Sequence, residues 1–467
     1  LMAAVGSAVG LGNIWGFPNK MGANGGFPFL ILYLALALCC GVIIMLGELA
    51  LGRKTGHGAV GAYQSISKRF KWLGWLGIAA AALIFSFYSA LGGYCLRYVV
   101  VNFGNLIGAE FGTNGVGGAD VFQGLLSQPD VSIAFALAFM LITMLVVMSG
   151  VGGGIERVCS VGMPALFFIL IICIIRSCTL PGAADGLKYM FVPGWAVANG
   201  IIDEAPGFWR VLTAAGGQMF FSLSLGAGVM ITYGSYLDKK QDLGKSAMII
   251  VGMDTVVALM AGLCVIPGRF ALDPNGALGG PELLFITMQN VFDKMGPAGP
   301  VFGILFYLLV FFAAISSSIS MLEVIVAHFC DKAREKGKGD RRKLYSAIAV
   351  VICAALCALV CADGMGSNHI SPAELLGLAG AKLPGWSTSW LGLFDSVAEG
   401  LLMPLGALLM CLMISWELKP DTLRQEILLN GENRPWVYDF FRLCVKYITP
   451  LCMLMILYGQ ISDFFIV

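Results

Sequence analysis

The feature that most constrains this chain is a run of apolar segments, each about as long as a bilayer-crossing helix. A hydrocarbon core takes ~20 consecutive apolar residues in helical form. Eleven segments qualify, at about 2–19, 27–50, 74–104, 131–149, 155–177, 209–236, 246–267, 297–329, 344–362, 391–416 and 437–463. Composition agrees, because 58% of the 467 residues are hydrophobic and 12% are charged. Soluble domains carry roughly a quarter charged residues. The expectation is an all-α membrane protein. A net charge of +1 presents no basic face to nucleic acid. The 14 cysteines lie mostly inside apolar runs, as at Cys353, Cys357 and Cys361. Without CxxC pairs they read as helix-packing thiols rather than disulfides or metal ligands.

The connectors orient the chain. Lys and Arg cluster within 52–71, 237–245 and 331–343, whereas the connectors near 105–130, 178–208 and 363–390 are longer and less basic. The positive-inside rule then predicts a multi-pass protein of the cell membrane with a cytoplasmic amino terminus. The long connectors read as outer caps carrying short amphipathic pieces, such as 371–376. The chain opens on Leu1-Met2-Ala3-Ala4 with no charged leader, and a short cytoplasmic tail is expected ahead of it.

Two apolar segments are interrupted. The first contains GSAVGLGN (Gly6 to Asn13), and the sixth contains FSLSLGAG (Phe221 to Gly228). Each opens a set of five helices, 1–5 and 6–10. Glycine-interrupted segments at matching positions of two halves point to a transport site at an inverted-repeat interface. The competing reading is that these glycines only permit close helix contact. An unbroken helix satisfies its own backbone, as hydrocarbon requires. A broken one frees carbonyls that suit a small hard cation and amides that suit an anion. The expected function of the breaks is therefore binding by backbone.

Other helices offer polar groups at similar depth. The eighth has Ser316, Ser317 and Ser318 in a row, and the third has Tyr88 in FSFYSALGGY. Asp254 stands deep in the seventh, where a carboxylate is costly and by default functional. Glu48, in GELALGR, is expected to hold freed backbone near the first helix.

Together GSAVGLGNIWGFP, GELALGR, FYSALGGY, QMFFSLSLGAGVMITYGSY and FFAAISSSIS resemble the neurotransmitter:sodium symporter family, in the family's order and across most of the chain. The resemblance implies a 5+5 inverted repeat of about eleven helices in one domain. The repeats would cover about 1–177 and 209–416, with an extra helix at about 437–463. It implies sodium-coupled uptake of an amino acid by alternating access, without covalent chemistry. It further implies two sodium sites. The first resembles Ala8, Asn13, Ser222 and Asp254, and the second Gly6, Val9, Ala313, Ser316 and Ser317. Oxygen-only sets of this kind suit Na⁺. The substrate carboxylate is expected at the first sodium, the amides of Leu11 and Gly12, and the Tyr88 hydroxyl. Its amino group is expected at carbonyls near Ala8, Phe221 and Ser224.

Gly10 stands where monoamine members carry an aspartate, so the substrate is expected to bring its own carboxylate. Ile84, Phe221, Ala227, Ser317 and Met321 would line the side-chain pocket, and the small Ala227 and Gly228 leave room for large apolar or aromatic groups. Ala258 replaces the serine of chloride-dependent members, and Asp254 replaces a common asparagine. The expectation is chloride-independent transport, with Asp254 taking a proton on the return step. Gly16 stands where the family has an arginine paired to an aspartate of helix 10. Asp395 matches that aspartate, and Lys20 is expected to substitute for the arginine. Asp331 and Tyr236 resemble inner-gate residues. The alternatives are a channel-like protein, or a transceptor that binds an amino acid without accumulating it. With His57, His328 and His369 alone, and no G-x-S-x-G or H-E-x-x-H motif, an enzyme is not expected.

Overall fold

The structure is a computed structural model that describes residues 2–113, 115–337, 339, 341–377, 385–419, 421–429 and 435–465. Eleven membrane helices are numbered in chain order. The first, α1, spans 2–23 and is split into Met2–Ala8 and a part made of Gly12–Gly16 and Phe17–Ala23. Next come α2 (Phe27–Thr55), α3 (Leu73–Ile107), α4 (Pro129–Met148) and α5 (Glu156–Cys178). The sixth, α6, is split into Phe208–Leu223 and Val229–Gly234. Then follow α7 (Leu243–Leu272), α8 (Gly296–Glu335), α9 (Arg342–Asp363), α10 (Trp390–Glu417) and α11 (Pro435–Ser462). Among the described residues nine of these are individually long and apolar enough to cross a bilayer. The other two, α1 and α6, fall short of that length because each is broken. No strand occurs among the described residues, as expected where each segment must satisfy its own backbone.

The packing repeats with a period of five helices. The pair α1–α7 has its counterpart in α6–α2, α3–α4 in α8–α9, α3–α10 in α8–α5, and α4–α8 in α9–α3. The largest contact of all joins α3 to α8, which are each other's counterparts. These two helices form the centre. The most apolar stretch of α3 is 78% buried, whereas those of α4, α5 and α9 are 33%, 28% and 33% buried and face the bilayer. Helix α11 lies outside the repeat and packs on α6 and α10.

Close packing does explain some glycines. A Cβ at Gly93 of α3 would lie 2.6 Å from the Ala136 amide nitrogen of α4, and one at Gly92 would collide with the Phe139 ring. The outer connectors carry short helices, including Gly118–Leu126, Ala183–Phe191 and Pro372–Leu375. The last is capped by Ser371, which accepts from the Glu374 amide while Glu374 accepts in return. The connector after α7 is not among the outer caps expected above. It is helical over Leu283–Thr287 and Met288–Lys294, and the buried Gln289 accepts from Asn102 of α3 at 2.9 Å. On the opposite side Arg53, closing α2, donates to Glu426 at 2.8 Å and to the Asp238 carbonyl at 3.3 Å. All fourteen cysteines are free thiols.

Candidate functional site

The two breaks meet at the molecular centre. Helix α1 loses its regular pattern at 9–10 and resumes through Leu11 into a widened π turn from Gly12 to Gly16. Such turns cluster at functional positions. Helix α6 stops where Ser224 adopts a left-handed conformation with φ +53°. Gly226 and Gly228, at φ +77° and +74°, carry the chain to its second half. These conformations are strained for residues with a Cβ, so glycine sets the position of the break.

The loose backbone groups are held by side chains. Gly10 donates its amide to Asn13 Oδ1 at 2.8 Å, and Leu11 donates to the Tyr88 hydroxyl at 2.7 Å. Gln218 of α6 donates to the Gly12 carbonyl at 2.6 Å. The Gly226 amide donates to Glu48 at 2.6 Å. This corrects the expectation for Glu48, which holds freed backbone of α6 rather than of α1. The reason is packing: the end of α2 lies against the second half of α6, whose first amides have no partner in their own helix.

The polar residues expected at a first sodium site come together. Asp254 accepts from Asn13 Nδ2 at 2.7 Å and from the Ser222 hydroxyl at 3.0 Å to each oxygen. Asn13 Nδ2 also donates to the Asp254 carbonyl at 2.9 Å. Tyr33 of α2, absent from the sequence reading, donates to Asp254 Oδ2 at 3.1 Å. Its signal was a lone tyrosine in the apolar run FLILYLAL, since a buried hydroxyl needs a partner. All four side chains are buried. Among the described residues Asp254 has no ion-pair partner. An oxygen-rich cluster holding one carboxylate and no basic side chain suits a cation. Ala8 is buried at the end of the first half of α1.

The second expected group separates into two. Ser316 donates to the Val9 and Ala313 carbonyls at 3.0 and 2.9 Å, so these three residues do meet. Ser317 donates instead to the Ser7 carbonyl at 3.0 Å. Its hydroxyl abuts Gly10, because a Cβ on Gly10 would collide with Ser317 Oγ and lie 2.7 Å from the Tyr88 oxygen. Gly6 faces α5, where a Cβ would lie 2.7 Å from Cys159 Sγ. Of the expected lining, Phe221 packs against Tyr88 with ring centroids 6.2 Å apart and against Phe87 at 6.5 Å. Ile84, Ala227 and Met321 are buried on α3, at the α6 break and on α8.

The gates differ from expectation. Lys20 does not pair with Asp395; it forms an ion pair with Glu399, one helical turn further along α10. Gly16 leaves α1 without a cation at its own level, and Gln218 Oε1 would lie 2.9 Å from a Cβ there. The cation therefore comes from one turn later in α1, and its carboxylate from one turn later in α10. Asp395 lines the same outer cleft of about 280 Å³, with Arg210, Glu399 and Gln460 of α11. On the other side Asp331 accepts from the Gly58 amide at 3.0 Å and lies 3.9 Å from His57. Tyr236 donates to Glu323 at 2.7 Å rather than meeting Asp331. Glu323 in turn pairs with Arg342 at 2.5 Å, a buried carboxylate that the sequence reading did not single out. Burial and the neighbouring Glu323 charge push the Tyr236 phenol above its ordinary range.

Two helices broken at equivalent positions of a repeat, with a charged oxygen cluster between them, define a membrane transport protein of the inverted-repeat class. The comparisons narrow the class. The Sodium:neurotransmitter symporter family matches residues 1–114 and 119–465. A sodium-dependent transporter of Bacillus subtilis, YhdH, is 36% identical over 99% of this chain and 96% of its own length. A sodium-dependent transporter of Methanocaldococcus jannaschii is 30% identical over 91% of this chain and 82% of its own. Among solved structures, that of MhsT in complex with L-phenylalanine matches with TM-score 0.83 and 34% identity, covering 98% of this chain and 97% of that one. The chain belongs to the sodium:neurotransmitter symporter family. It is a multi-pass membrane protein and a sodium-dependent transporter of a small molecule, not an enzyme.

Proposed function

We propose that this transporter couples Na⁺ to the uptake of amino acids with large hydrophobic or aromatic side chains, by alternating access, as a single domain with its amino terminus in the cytoplasm. The observation that carries the substrate class is the packing at Gly10. No side chain fits between Ser317 and Tyr88, so the chain supplies no carboxylate for an amine. Beside it, the Leu11 amide donates to the Tyr88 hydroxyl, and a substrate carboxylate that enters between them would accept from both. The small Ala227 and the Phe221 ring favour a bulky apolar side chain, each buried methylene contributing roughly 0.8 kcal/mol. MhsT, solved with L-phenylalanine, is similar over nearly the whole chain.

Two sodium ions are proposed. One is held by Ala8, Asn13, Ser222 and Asp254, together with the substrate carboxylate. The other is held by the Val9 and Ala313 carbonyls and the Ser316 hydroxyl, which already meet, and is completed by Gly6 and by Ser317 once it turns from the Ser7 carbonyl. Asp254 provides the fixed negative charge that makes chloride unnecessary, and it accepts a proton when the empty carrier returns. The Lys20–Glu399 pair with Asp395 closes the outer side, and the inner side is closed by Tyr236 on Glu323 and by Asp331 on the Gly58 amide.

The test is uptake of labelled phenylalanine, tryptophan, leucine and glycine into proteoliposomes, with and without an inward Na⁺ gradient, in chloride and in gluconate. Concentrative, Na⁺-driven uptake of the bulky substrates in both salts is expected. Binding without accumulation would replace symport by a receptor role, and uptake lost in gluconate would end the chloride argument.

A further inference from the structure

A groove of about 360 Å³ runs between α5 and α8 on the bilayer-facing side of the molecule. Its walls include Gly162, Met163 and Phe312, and its rim carries Arg157. The volume lies in the range of dedicated small-molecule sites, ~300–1,000 Å³. Helix α5 is the least buried of the nine long spans, and the groove is continuous with its exposed apolar surface at Val161 and Phe168. Arg157 is exposed in the first turn of α5, at the level where a span begins. The cytoplasmic amino terminus proposed above puts that level in the inner leaflet, where anionic head groups concentrate. An apolar slot facing the bilayer below the Arg157 guanidinium, with the exposed Glu156 beside it in the same turn, is complementary to one acyl chain and the phosphate of a lipid.

The floor of the groove touches the transport site. Ser316, which holds the Val9 carbonyl, lines it. So does Cys159, whose sulfur abuts Gly6 in the first half of α1. Both residues are among the contacts by which α5 and α8 hold the first half of α1 and its break. We propose that this groove binds an anionic phospholipid, with its phosphate on Arg157 and one acyl chain against Cys159 and Ser316. The bound chain braces the first half of α1 in its packed position. Movement of that half away from Cys159 and Ser316 leaves the floor without backing and loosens the lipid, so occupancy opposes opening on this side.

The full chain in vesicles tests this without reference to transport. N-Ethylmaleimide labelling of Cys159, read by peptide mass in phosphatidylglycerol-containing and pure phosphatidylcholine vesicles, reports whether the groove is filled. Phosphatidylglycerol is expected to protect Cys159. Arg157→Gln is expected to weaken that protection by about fivefold, the worth of one surface cation at an anionic leaflet. Gly162→Trp places an indole in the groove, where a Cβ meets open space. It is expected to abolish phosphatidylglycerol retention in native mass spectra of the purified protein. Equal labelling in both lipids, or equal retention by parent and both variants, overturns the proposal. Protection that is equal for phosphatidylglycerol and phosphatidylcholine and indifferent to Arg157 assigns the groove to bulk lipid and overturns it too.

Discussion

Replacing Asp254 by asparagine isolates the charge at the centre of the molecule. The side chains are nearly the same size, and every hydrogen bond can be remade. The amide oxygen can accept from Asn13, and the new NH₂ can donate to the Ser222 and Tyr33 hydroxyls, which turn to accept. The folding cost is therefore about 1 kcal/mol, the difference between charge-assisted and neutral bonds. The ion feels a larger change. A unit charge ~4 Å away contributes about 4 kcal/mol at the effective dielectric of protein sites. If an amide dipole recovers half of this, about 2 kcal/mol of sodium attraction is lost. That is roughly a 30-fold rise in the sodium concentration for half-saturation. The assay is equilibrium binding of labelled phenylalanine to purified protein across a sodium titration, with the melting temperature as the check on folding. A variant that melts like the parent and keeps the parent's sodium dependence would refute the placement of Na⁺ at Asp254.

Three further changes probe the surroundings. Gly10→Ala forces a methyl into Ser317 Oγ and to 2.7 Å from the Tyr88 oxygen; amino-acid binding should be lost at any sodium concentration, while detergent gel filtration stays monodisperse. Glu48→Ala strands the Gly226 amide inside the protein and should cost about 2 kcal/mol, read as a lowered melting temperature, with Glu48→Gln recovering much of it. Lys20→Glu should raise labelling of outer-cleft residues by an impermeant reagent, and adding Glu399→Lys should restore the parent level; a double variant no better than the single one would remove this pair from the gate.

Much of the fold was legible because hydrocarbon leaves few options. Helix length, the glycines at 6–12 and 226–228, and basic loops outline the spans before any contact is known. Side-chain partners were less legible, since they depend on rotation about helices that pattern does not fix. Asp395 was matched by family position and Lys20 was offered as the cation one turn beyond Gly16, yet one turn of displacement along α10 gives Lys20 Glu399 instead. Glu48 was placed in the right role on the wrong break. Tyr33 and Gln218 were missed although each is a lone polar group in an apolar run, a signal that names a residue in need of a partner without naming the partner.

The partners, once known, explain why binding and movement are linked. The Gly12 carbonyl of the first repeat is held by Gln218 of the second. The Gly226 amide of the second is held by Glu48 of the first. Ser316 and Ser317 of α8 hold the Val9 and Ser7 carbonyls of α1, and Asp254 of α7 holds Asn13. Most of these bonds thus cross from one repeat to the other, while the Gly10 and Leu11 amides are held within the first, by Asn13 and Tyr88. Rocking α1, α2, α6 and α7 against α3, α4, α8 and α9, the motion the family resemblance implies, would lengthen together the bonds of Leu11 to Tyr88 and of Ser316 and Ser317 to the Val9 and Ser7 carbonyls, in a setting where a stranded polar group costs about 1–3 kcal/mol. A cation and a carboxylate bridging the same groups add attraction that depends on the same distances. Their binding energy therefore differs between arrangements of the two helix sets, and only such a difference lets a ligand shift a conformational equilibrium. In an unbroken helix pair those groups would be satisfied within each helix, and no ligand at this position could report on the relation between the halves.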